Sequence, residues 1–264
     1  MKFPLDHGYL AYDRIGHGLP LLFIHGYPLS RKIWQSQAGG LSNIVTILSL
    51  DLRGHGESFP FDPPYSMDLL AEDCKRFLDG IGTQGPLVVC GLSMGGYVTF
   101  ALYRKYPHFF RGMILTSTRA AADSSEGKTN RDVSIKTVLD QGVPKIVDGM
   151  LPKVASPLTY SAKPGLVDSI RNIMLQTSVK GVVGALQGMR DRPDSSALLP
   201  TITCPTLVIH GADDQIIPLR EAELMQSQIP GSHLVTIPQA GHLANMEQPE
   251  LFNHAVRDFL STLL

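Results

Sequence analysis

Short runs of apolar residues alternate with helical patterns along most of the chain. The apolar runs lie at 21–24, 44–50, 87–90, 113–115, 206–209 and 234–237. Runs that are apolar at nearly every position are typical of strands buried on both faces, as in a parallel sheet covered by helices. Residues 3–14 favour an antiparallel hairpin that leads into this sheet. We therefore predict an α/β protein with a mostly parallel, doubly wound sheet of about eight strands.

Two segments carry apolar residues at helical spacing. In the first, the apolar positions are Met67, Leu70, Ala71, Cys74, Phe77, Leu78 and Ile81. Steps of three and four residues place them on one face of a helix, and Ser66 is a suitable N-cap. A second stripe follows Pro249, a residue suited to the first helical turn, and reaches Leu263. Helices that alternate with strands imply right-handed βαβ crossovers.

Residues 119–200 interrupt the alternation because they contain no convincing strand pattern. They hold several amphipathic helical patterns, punctuated by Pro144, Pro152, Pro157 and Pro164. A helical insertion in an α/β domain predicts a lid over the ligand-binding edge of the sheet, where it can control access and move. We therefore predict a core domain formed by residues 1–118 and 201–264, and a lid formed by residues 119–200.

Composition narrows the class of protein. The 264 residues include 23 Lys and Arg against 24 Asp and Glu, a formal net charge of −1, which disfavours a nucleic-acid-binding protein. The three cysteines, Cys74, Cys90 and Cys204, form neither a disulfide framework nor a zinc motif. Neither a secretory signal nor an uncharged apolar run of about 18 residues is visible, so we expect a cytoplasmic protein that does not bind a membrane.

The sequence Gly91-Leu92-Ser93-Met94-Gly95 is the strongest chemical signal. G-x-S-x-G is a weak motif by itself, but here it joins a strand pattern to a helical pattern that begins at Met94. A turn this tight places Ser93 in a strained backbone conformation, and the glycines allow neighbouring backbone to pass close. We expect the Ser93 hydroxyl to lie at the carboxyl end of the strand and to act as a nucleophile.

A serine nucleophile needs a histidine base that is held by an acid. If the chain order is Ser, acid, His, the candidate bases after the lid are His210, His233, His242 and His254. We favour His242, because it lies in a loop at the carboxyl end of the strand pattern 234–237. The patterns around the other three predict a turn at His210, the start of a strand at His233 and a helix at His254.

Two adjacent residues, Asp213 and Asp214, follow the strand pattern 206–209 and compete for the role of the acid. Successive side chains point in different directions, so only one of them can orient His242. Spacing alone leaves the choice open, and we expect the other aspartate to be a turn former.

An oxyanion hole requires two donors aimed at one point. The backbone N–H of Met94 is one candidate, and the N–H of Tyr27, in the loop after the strand pattern 21–24, is the second. Trp34, near this loop, is a candidate either for lining the substrate pocket or for packing the helix that follows. Further candidate residues of the substrate pocket are Leu92, Ile216 and Leu243.

Five motifs occur in order over nearly the whole chain. They are His25-Gly26-Tyr27-Pro28, residues 51–58, Gly91-Leu92-Ser93-Met94-Gly95-Gly96, residues 211–218 and Gly241-His242. Together they resemble the α/β-hydrolase superfamily, and within it the small bacterial carboxylesterases, the enol-lactone hydrolases and the cofactor-free haloperoxidases. In these families the acid lies three residues after the glycine and four before the proline, a pattern that falls on Asp214. The resemblance also implies that Asp51, Arg53 and His55 are structural.

The resemblance implies a serine hydrolase that cleaves a small carboxylic ester or lactone and needs no cofactor or metal. Its partners would be the small-molecule substrate and water, and not a nucleic acid or a membrane. Cleavage of a carbon–carbon bond and perhydrolysis are alternative reactions of the same triad, and a receptor without turnover is a further alternative. The lid arginines Arg131, Arg171 and Arg190 bear on carbon–carbon cleavage, because an inward-facing arginine could stabilise a carbanion or enol.

Overall fold

The computed structural model of the chain describes residues 1–83 and 85–263. Its strands are β1 (Lys2–Leu5), β2 (Gly8–Ile15), β3 (Pro20–Ile24), β4 (Thr46–Leu50), β5 (Leu87–Leu92), β6 (Phe110–Thr116), β7 (Thr206–Gly211) and β8 (His233–Ile237). They form one eight-stranded sheet in the order β1-β2-β4-β3-β5-β6-β7-β8. The hairpin β1–β2 and the pair β2–β4 are antiparallel, and all later pairs are parallel.

Helices connect and cover the parallel strands. The α-helices of the described residues are α1 (Gln35–Leu41), α2 (Met67–Gly80), α3 (Met94–Lys105), α4 (Ser125–Gln141), α5 (Val143–Val154), α6 (Pro157–Ala162), α7 (Pro164–Leu175), α8 (Val179–Arg190), α9 (Leu219–Gln228), α10 (Ala244–Glu247) and α11 (Pro249–Ser261). Short 3-10 helices lie at Arg31–Trp34, Pro107–Phe109 and Ser196–Thr201. Within the described ranges, no helix is long and apolar enough to cross a bilayer.

The predicted sheet is confirmed, and the differences lie at strand ends. The strand predicted at 44–50 begins at Thr46, because the N–H groups of Ile44 and Val45 bond to the carbonyl of Leu41 in the turn after α1. The strand predicted at 113–115 extends to Phe110–Thr116. His210, expected in a turn, lies inside β7 and is buried there, which matters for the site below.

The predicted helical stripes form the buried faces of α2 and α11. Helix α2 begins after Ser66, whose hydroxyl accepts a hydrogen bond from the N–H of Leu69 at 3.0 Å. Its apolar positions are buried against the sheet, and Phe77 and Leu78 are fully covered. Helix α11 begins with Pro249 at its first turn, as its sequence predicts. Helix α2 packs beside α3, and helix α11 packs beside α1 and β8.

The connection between β6 and β7 contains the helices α4 to α8, hereafter the helical insertion, and no strand. Helix α8 packs closely on the loop after β4 through Gly181, Gly184 and Gly188. A Cβ atom added to Gly181 would lie 2.1 Å from the carbonyl oxygen of Gly54, and one added to Gly184 would lie 2.5 Å from the ring of Tyr65. The three glycines lie on one face of the helix, so the insertion approaches the sheet domain at backbone distance.

Candidate active site

Ser93 occupies the turn between β5 and α3. Its backbone has φ 54° and ψ −113°, a conformation that non-glycine residues rarely adopt. The N–H of Ser93 donates to the carbonyl of Thr116, and the hydroxyl of Thr118 donates to the carbonyl of Ser93 at 2.8 Å. These bonds to the end of β6 hold the strained turn in place.

The glycines on either side of Ser93 are required by close contacts. A Cβ atom on Gly91 would lie 2.3 Å from the carbonyl oxygen of Gly95. A Cβ atom on Gly95 would lie 2.2 Å from the carbonyl oxygen of Ile24, at the end of β3. The motif therefore reflects the crossing of α3 over β3 as well as the turn itself.

His242 lies in the loop between β8 and α10, with its side chain 4% exposed. Its Nδ1 lies 2.8 Å from Oδ2 of Asp214, whose side chain is completely buried. The other oxygen of Asp214, Oδ1, accepts hydrogen bonds from the N–H groups of Ile216 and Ile217 at 2.8 and 3.0 Å. Because an ionised carboxylate only accepts, Nδ1 of His242 carries the proton of this hydrogen bond.

The environment of Asp214 favours its ionised form. Burial alone raises the pKa of this carboxyl, but the charge and hydrogen bond of His242 and the two backbone N–H groups outweigh burial, so the pKa is lowered. The adjacent Asp213 is exposed. Of the two aspartates that sequence spacing leaves open, His242 therefore contacts Asp214.

His210 lies beside this pair. Its Nε2 donates to the carbonyl of Ile217 at 3.0 Å and lies 3.8 Å from Oδ2 of Asp214. Burial lowers the pKa of His210 more than the nearby carboxylate raises it. A neutral His210 therefore supports the loop that carries Asp214.

The loop that contains Tyr27 and the start of helix α3 at Met94 both lie beside Ser93. The loop after β3 lies against the Ser93 turn, since a Cβ atom on Gly26 would lie 3.2 Å from Cβ of Ser93. Met94 is the first residue of α3, where N–H groups have no partner within the helix. Among the described residues, neither N–H donates a hydrogen bond, so both are free for a ligand.

Ser93 and His242 face the same small space, hereafter the inner cavity, of about 120 Å³. Its lining residues are Tyr27, Ser93, Tyr97, Arg119, Arg131, Met150, Met189, Ile216, Ile217 and His242. An adjoining outer cavity of about 540 Å³ lies against α4 and α5. Tyr27, Arg131, Met150 and Ile216 line both cavities, so the two cavities adjoin at these residues.

The predicted pocket residues fall in different places. Ile216 lines both cavities. Trp34 does not line either cavity. It is 1% exposed and stacks on Phe23 with a distance of 4.5 Å between the ring centres, so its role is packing. Leu92 and Leu243 are fully buried and are not among the residues that line the inner cavity. The side chain of Leu92 lies next to Gly26 in the loop after β3.

Several residues of the cavity have no signal in the sequence. Arg119 and Tyr97 lie outside the sequence motifs, and Met150 and Met189 come from the helical insertion. Of the three lid arginines, Arg131 lines the cavity, whereas Arg171 pairs with Asp148 and Arg190 with Asp132 and Asp191 at the surface. Which arginine faces inward depends on how the insertion packs.

Glu247, in α10, joins the His242 loop to the helical insertion. This carboxylate is fully buried, and its Oε1 accepts from the N–H of Gly241 at 2.8 Å. Its Oε2 accepts from the N–H of Ser156 and the hydroxyl of Thr159, both at 2.7 Å. One carboxylate thus fixes the residue before His242 and the start of α6.

The loop at residues 51–58 bonds within the protein. The carboxylate of Asp51 is fully buried and pairs with Arg31, and Arg53 pairs with Asp73. The ring of His55 lies 5.1 Å from that of His25. Burial lowers the pKa of His25 to about 4 and that of His55 to about 3, so both rings are neutral near pH 7.

None of these side chains provides a metal site. Within the described residues, no group of three or more His, Cys, Asp or Glu side chains is arranged to hold a metal ion. The side chains near Ser93 form a base, an acid and hydrogen-bond donors, a set suited to acyl transfer.

Residues 20–249 match the family model of the alpha/beta hydrolase fold. The match covers most of the chain, so the protein belongs to the α/β-hydrolase family. The predicted fold and family are thereby confirmed, and the protein is a hydrolase.

Three similar proteins are esterases or lactonases. The structure of a thermophilic esterase from Thermogutta terrifontis, with malate bound, is 41% identical, covers 97% of this chain and 94% of its own, and superposes with a TM-score of 0.95. The enol-lactonase from Burkholderia xenovorans LB400 is 25% identical over 99% of this chain and 100% of its own, with a TM-score of 0.91. The 3-oxoadipate enol-lactonase 2 of Acinetobacter baylyi is 28% identical over 89% of this chain and 86% of its own.

Proposed function

We propose that the protein is a serine hydrolase that cleaves a small carboxylic ester or lactone through an acyl-enzyme. One observation carries the proposal. Ser93 and His242 line the same inner cavity, and His242 donates from Nδ1 to the buried carboxylate of Asp214. A histidine held by a buried carboxylate, in the same cavity as a serine, supports the proposal that His242 accepts the proton of Ser93.

In the proposed reaction Ser93 attacks the carbonyl carbon while Nε2 of His242 takes its proton. Asp214 keeps the other ring nitrogen protonated and stabilises the imidazolium that forms. The N–H groups of Tyr27 and Met94 bind the oxyanion of the tetrahedral intermediate. His242 then protonates the leaving alcohol, and a water molecule, activated by the same histidine, hydrolyses the acyl-enzyme.

The volumes of the two cavities indicate that the acyl or alcohol group next to Ser93 is short. The inner cavity, at about 120 Å³, is smaller than the roughly 300 Å³ at which small-molecule pockets usually begin. A longer group has to extend into the outer cavity, under the helical insertion. We propose that this insertion, within residues 119–200, acts as a lid that sets the size of the substrate.

Hydrolysis of 4-nitrophenyl acetate, butyrate and octanoate by wild type and by Ser93→Ala tests the proposal. We expect the short esters to react faster than octanoate, and Ser93→Ala to lower kcat by roughly 10⁴-fold or more. Ser169→Ala, an exposed serine on α7, is the matched control and retains wild-type rates. Equal rates for wild type and Ser93→Ala would exclude Ser93 as the nucleophile.

Carbon–carbon bond cleavage is a second candidate, favoured by the inward position of Arg131. A relative named 2-hydroxymuconate semialdehyde hydrolase, from Pseudomonas putida, is 28% identical over 93% of this chain and 88% of its own. Loss of the absorbance of a dienol keto acid would detect this activity. If kcat/KM for the dienol keto acid is higher than kcat/KM for every ester, carbon–carbon bond cleavage becomes the preferred function.

A further inference from the structure

Two arginines, Arg119 and Arg131, line the inner cavity together with Ser93 and His242. They come from different parts of the fold, since Arg119 follows β6 and Arg131 lies on α4. Their side chains are 27% and 25% exposed, so both are largely withdrawn from bulk water. The mechanism proposed above uses neither of them.

Asp123 holds both arginines from behind. Its Oδ1 accepts from Nη2 of Arg119 at 2.6 Å, and its Oδ2 accepts from Nε of Arg131 at 3.0 Å. A third guanidinium, that of Arg192, lies 2.9 Å from Oδ1. The carboxylate of Asp123 is 1% exposed, so it serves as a fixed anchor and not as part of the cavity wall.

The charge of this cluster is not balanced. One carboxylate faces three guanidinium groups, which leaves an excess of positive charge beside the cavity. Both Nη atoms of Arg192 donate, to the carbonyls of Met189 and Ala121, and its guanidinium lies 4.0 Å above the ring of Tyr97, while its Nε has no partner among the described residues. Arg192 does not line the inner cavity, so Arg119 and Arg131 are the two guanidinium groups that a ligand in this cavity can reach.

Both arginines keep unused donors. Nε of Arg119 is buried without a partner among the described residues. Arg131 uses Nε for Asp123, and none of its Nη atoms bonds to the described part of the chain. Guanidinium N–H groups that face a cavity and have no protein partner are available to an anionic ligand, and a carboxylate fits their fork of donors.

The outer cavity is also lined by positively charged side chains. Lys145 and Lys153 line it together with Arg131, and no carboxylate is among the described residues that line either cavity. The whole chain has a formal net charge of −1, so the positive potential is local to this side of the molecule. Such a cation-lined passage raises the local concentration of anionic ligands.

We propose that the substrate carries a free carboxylate, which Arg119 and Arg131 bind while Ser93 attacks the ester or lactone carbonyl. The proposal rests on the hydrolase function proposed above and narrows its substrate class to acidic esters and lactones. The small inner cavity requires that the carboxylate and the carbonyl be separated by only a few bonds. Monoesters of short dicarboxylic acids and short lactones with a carboxylate substituent meet this requirement.

Matched pairs of acid and amide substrates test the proposal. Monomethyl succinate against methyl succinamate places the charge on the acyl side, and acetoxyacetate against acetoxyacetamide places it on the leaving-group side. Hydrolysis is followed by acid release in a pH-stat. We expect at least one acid to exceed its amide in kcat/KM by roughly 10-fold or more, as a charge-assisted hydrogen bond provides.

Arg131→Gln should lower the ratio of acid to amide kcat/KM by roughly 10- to 100-fold, and Arg131→Lys should lower it less. Arg171→Gln, a surface arginine of α7 paired with Asp148, is the matched control and leaves the ratio unchanged. Equal rates for acid and amide in wild type, or an equal loss on both substrates in Arg131→Gln, would overturn the carboxylate site.

A binding measurement separates this failure from failure of the hydrolase function. Succinate and succinamide are titrated by calorimetry into Ser93→Ala, and into Ser93→Ala combined with Arg131→Gln. We expect succinate to bind the first protein more tightly than succinamide does, and to lose roughly 10-fold or more in affinity for the second. Binding of neither compound, or equal binding of both, would refute the carboxylate site, whereas esterase activity that survives Ser93→Ala refutes only the nucleophile.

Discussion

Asp214 uses its two carboxylate oxygens for different tasks. Oδ1 accepts two backbone N–H groups from its own loop, which fixes the carboxylate plane, and Oδ2 accepts from His242. This division explains why the pKa is lowered although the side chain is completely buried. A buried carboxylate held in this way can determine which nitrogen of His242 carries the proton.

Asp214→Asn should therefore lower kcat by roughly 10³- to 10⁴-fold. The asparagine amide can donate to Nδ1, which would move the proton of His242 to Nε2 and leave it unable to accept from Ser93. The rate of ester hydrolysis measures the loss of kcat, and the near-UV circular dichroism spectrum checks that the variant keeps its fold. Asp213→Asn, the exposed neighbour, is the control, and equal losses in the two variants would contradict the assignment.

Helix α8 positions the helical insertion on the sheet domain. Its three glycines permit contact with Gly54 and Tyr65 at backbone distance, and two backbone bonds tie the same surfaces together. The N–H of Ser178 donates to the carbonyl of Gly54 at 3.0 Å, and the N–H of Tyr65 donates to the carbonyl of Gly184 at 3.3 Å. Met189 on this helix and Arg131 on its neighbour α4 line the inner cavity.

Gly181→Ala should destabilise the protein by about 1–3 kcal/mol, because its Cβ would overlap the backbone of Gly54. Gly165→Ala is the control: it lies in α7, its Cβ would meet no atom within 4 Å, and alanine favours helix. Denaturation by urea gives both free energies of unfolding. If the two variants prove equally stable, α8 does not dock in the way described.

Two buried neutral histidines, His25 and His55, lie side by side and affect the stability of the whole molecule. His25 accepts from the N–H of Leu52 at Nε2, at 2.9 Å, and its Nδ1 lies 2.8 Å from the carbonyl of Gly26. His55 lies beside it with Nε2 unpartnered among the described atoms. With pKa values lowered to about 4 and about 3, neither ring takes up a proton in the folded protein until the pH is well below 6.

The free energy of unfolding should therefore fall as the pH drops below about 6.5, where the unfolded chain protonates these histidines and the folded chain does not. Each ring contributes a slope of up to about 1.4 kcal/mol per pH unit, and the loss ends near its folded pKa. Urea denaturation between about pH 7.5 and pH 5 measures the slope, which His55→Gln should reduce. Constant stability over this range would show that the rings are accessible to protons.

The strands, the Ser93 turn and the helices α2 and α11 follow from the sequence, because each depends on short-range periodicity or on a local steric requirement. The ends of elements are less well determined by the sequence: the strand predicted at 44–50 begins at Thr46, because a turn competes for the backbone N–H groups. The sequence predicts a turn at His210, but this residue lies in β7, and its burial beside Asp214 is a tertiary property.

The sheet, the tight turn at Ser93 and the presence of a helical insertion can therefore be predicted from the chain alone, since neighbouring residues carry that information. Spacing leaves Asp213 and Asp214 open, and the folded chain shows that His242 contacts Asp214, that Trp34 packs on Phe23, and that Arg131 rather than Arg171 lines the cavity. Residues far apart in the chain converge at these points. Their side-chain directions depend on how β7, β8 and the helical insertion pack, which a local pattern does not record.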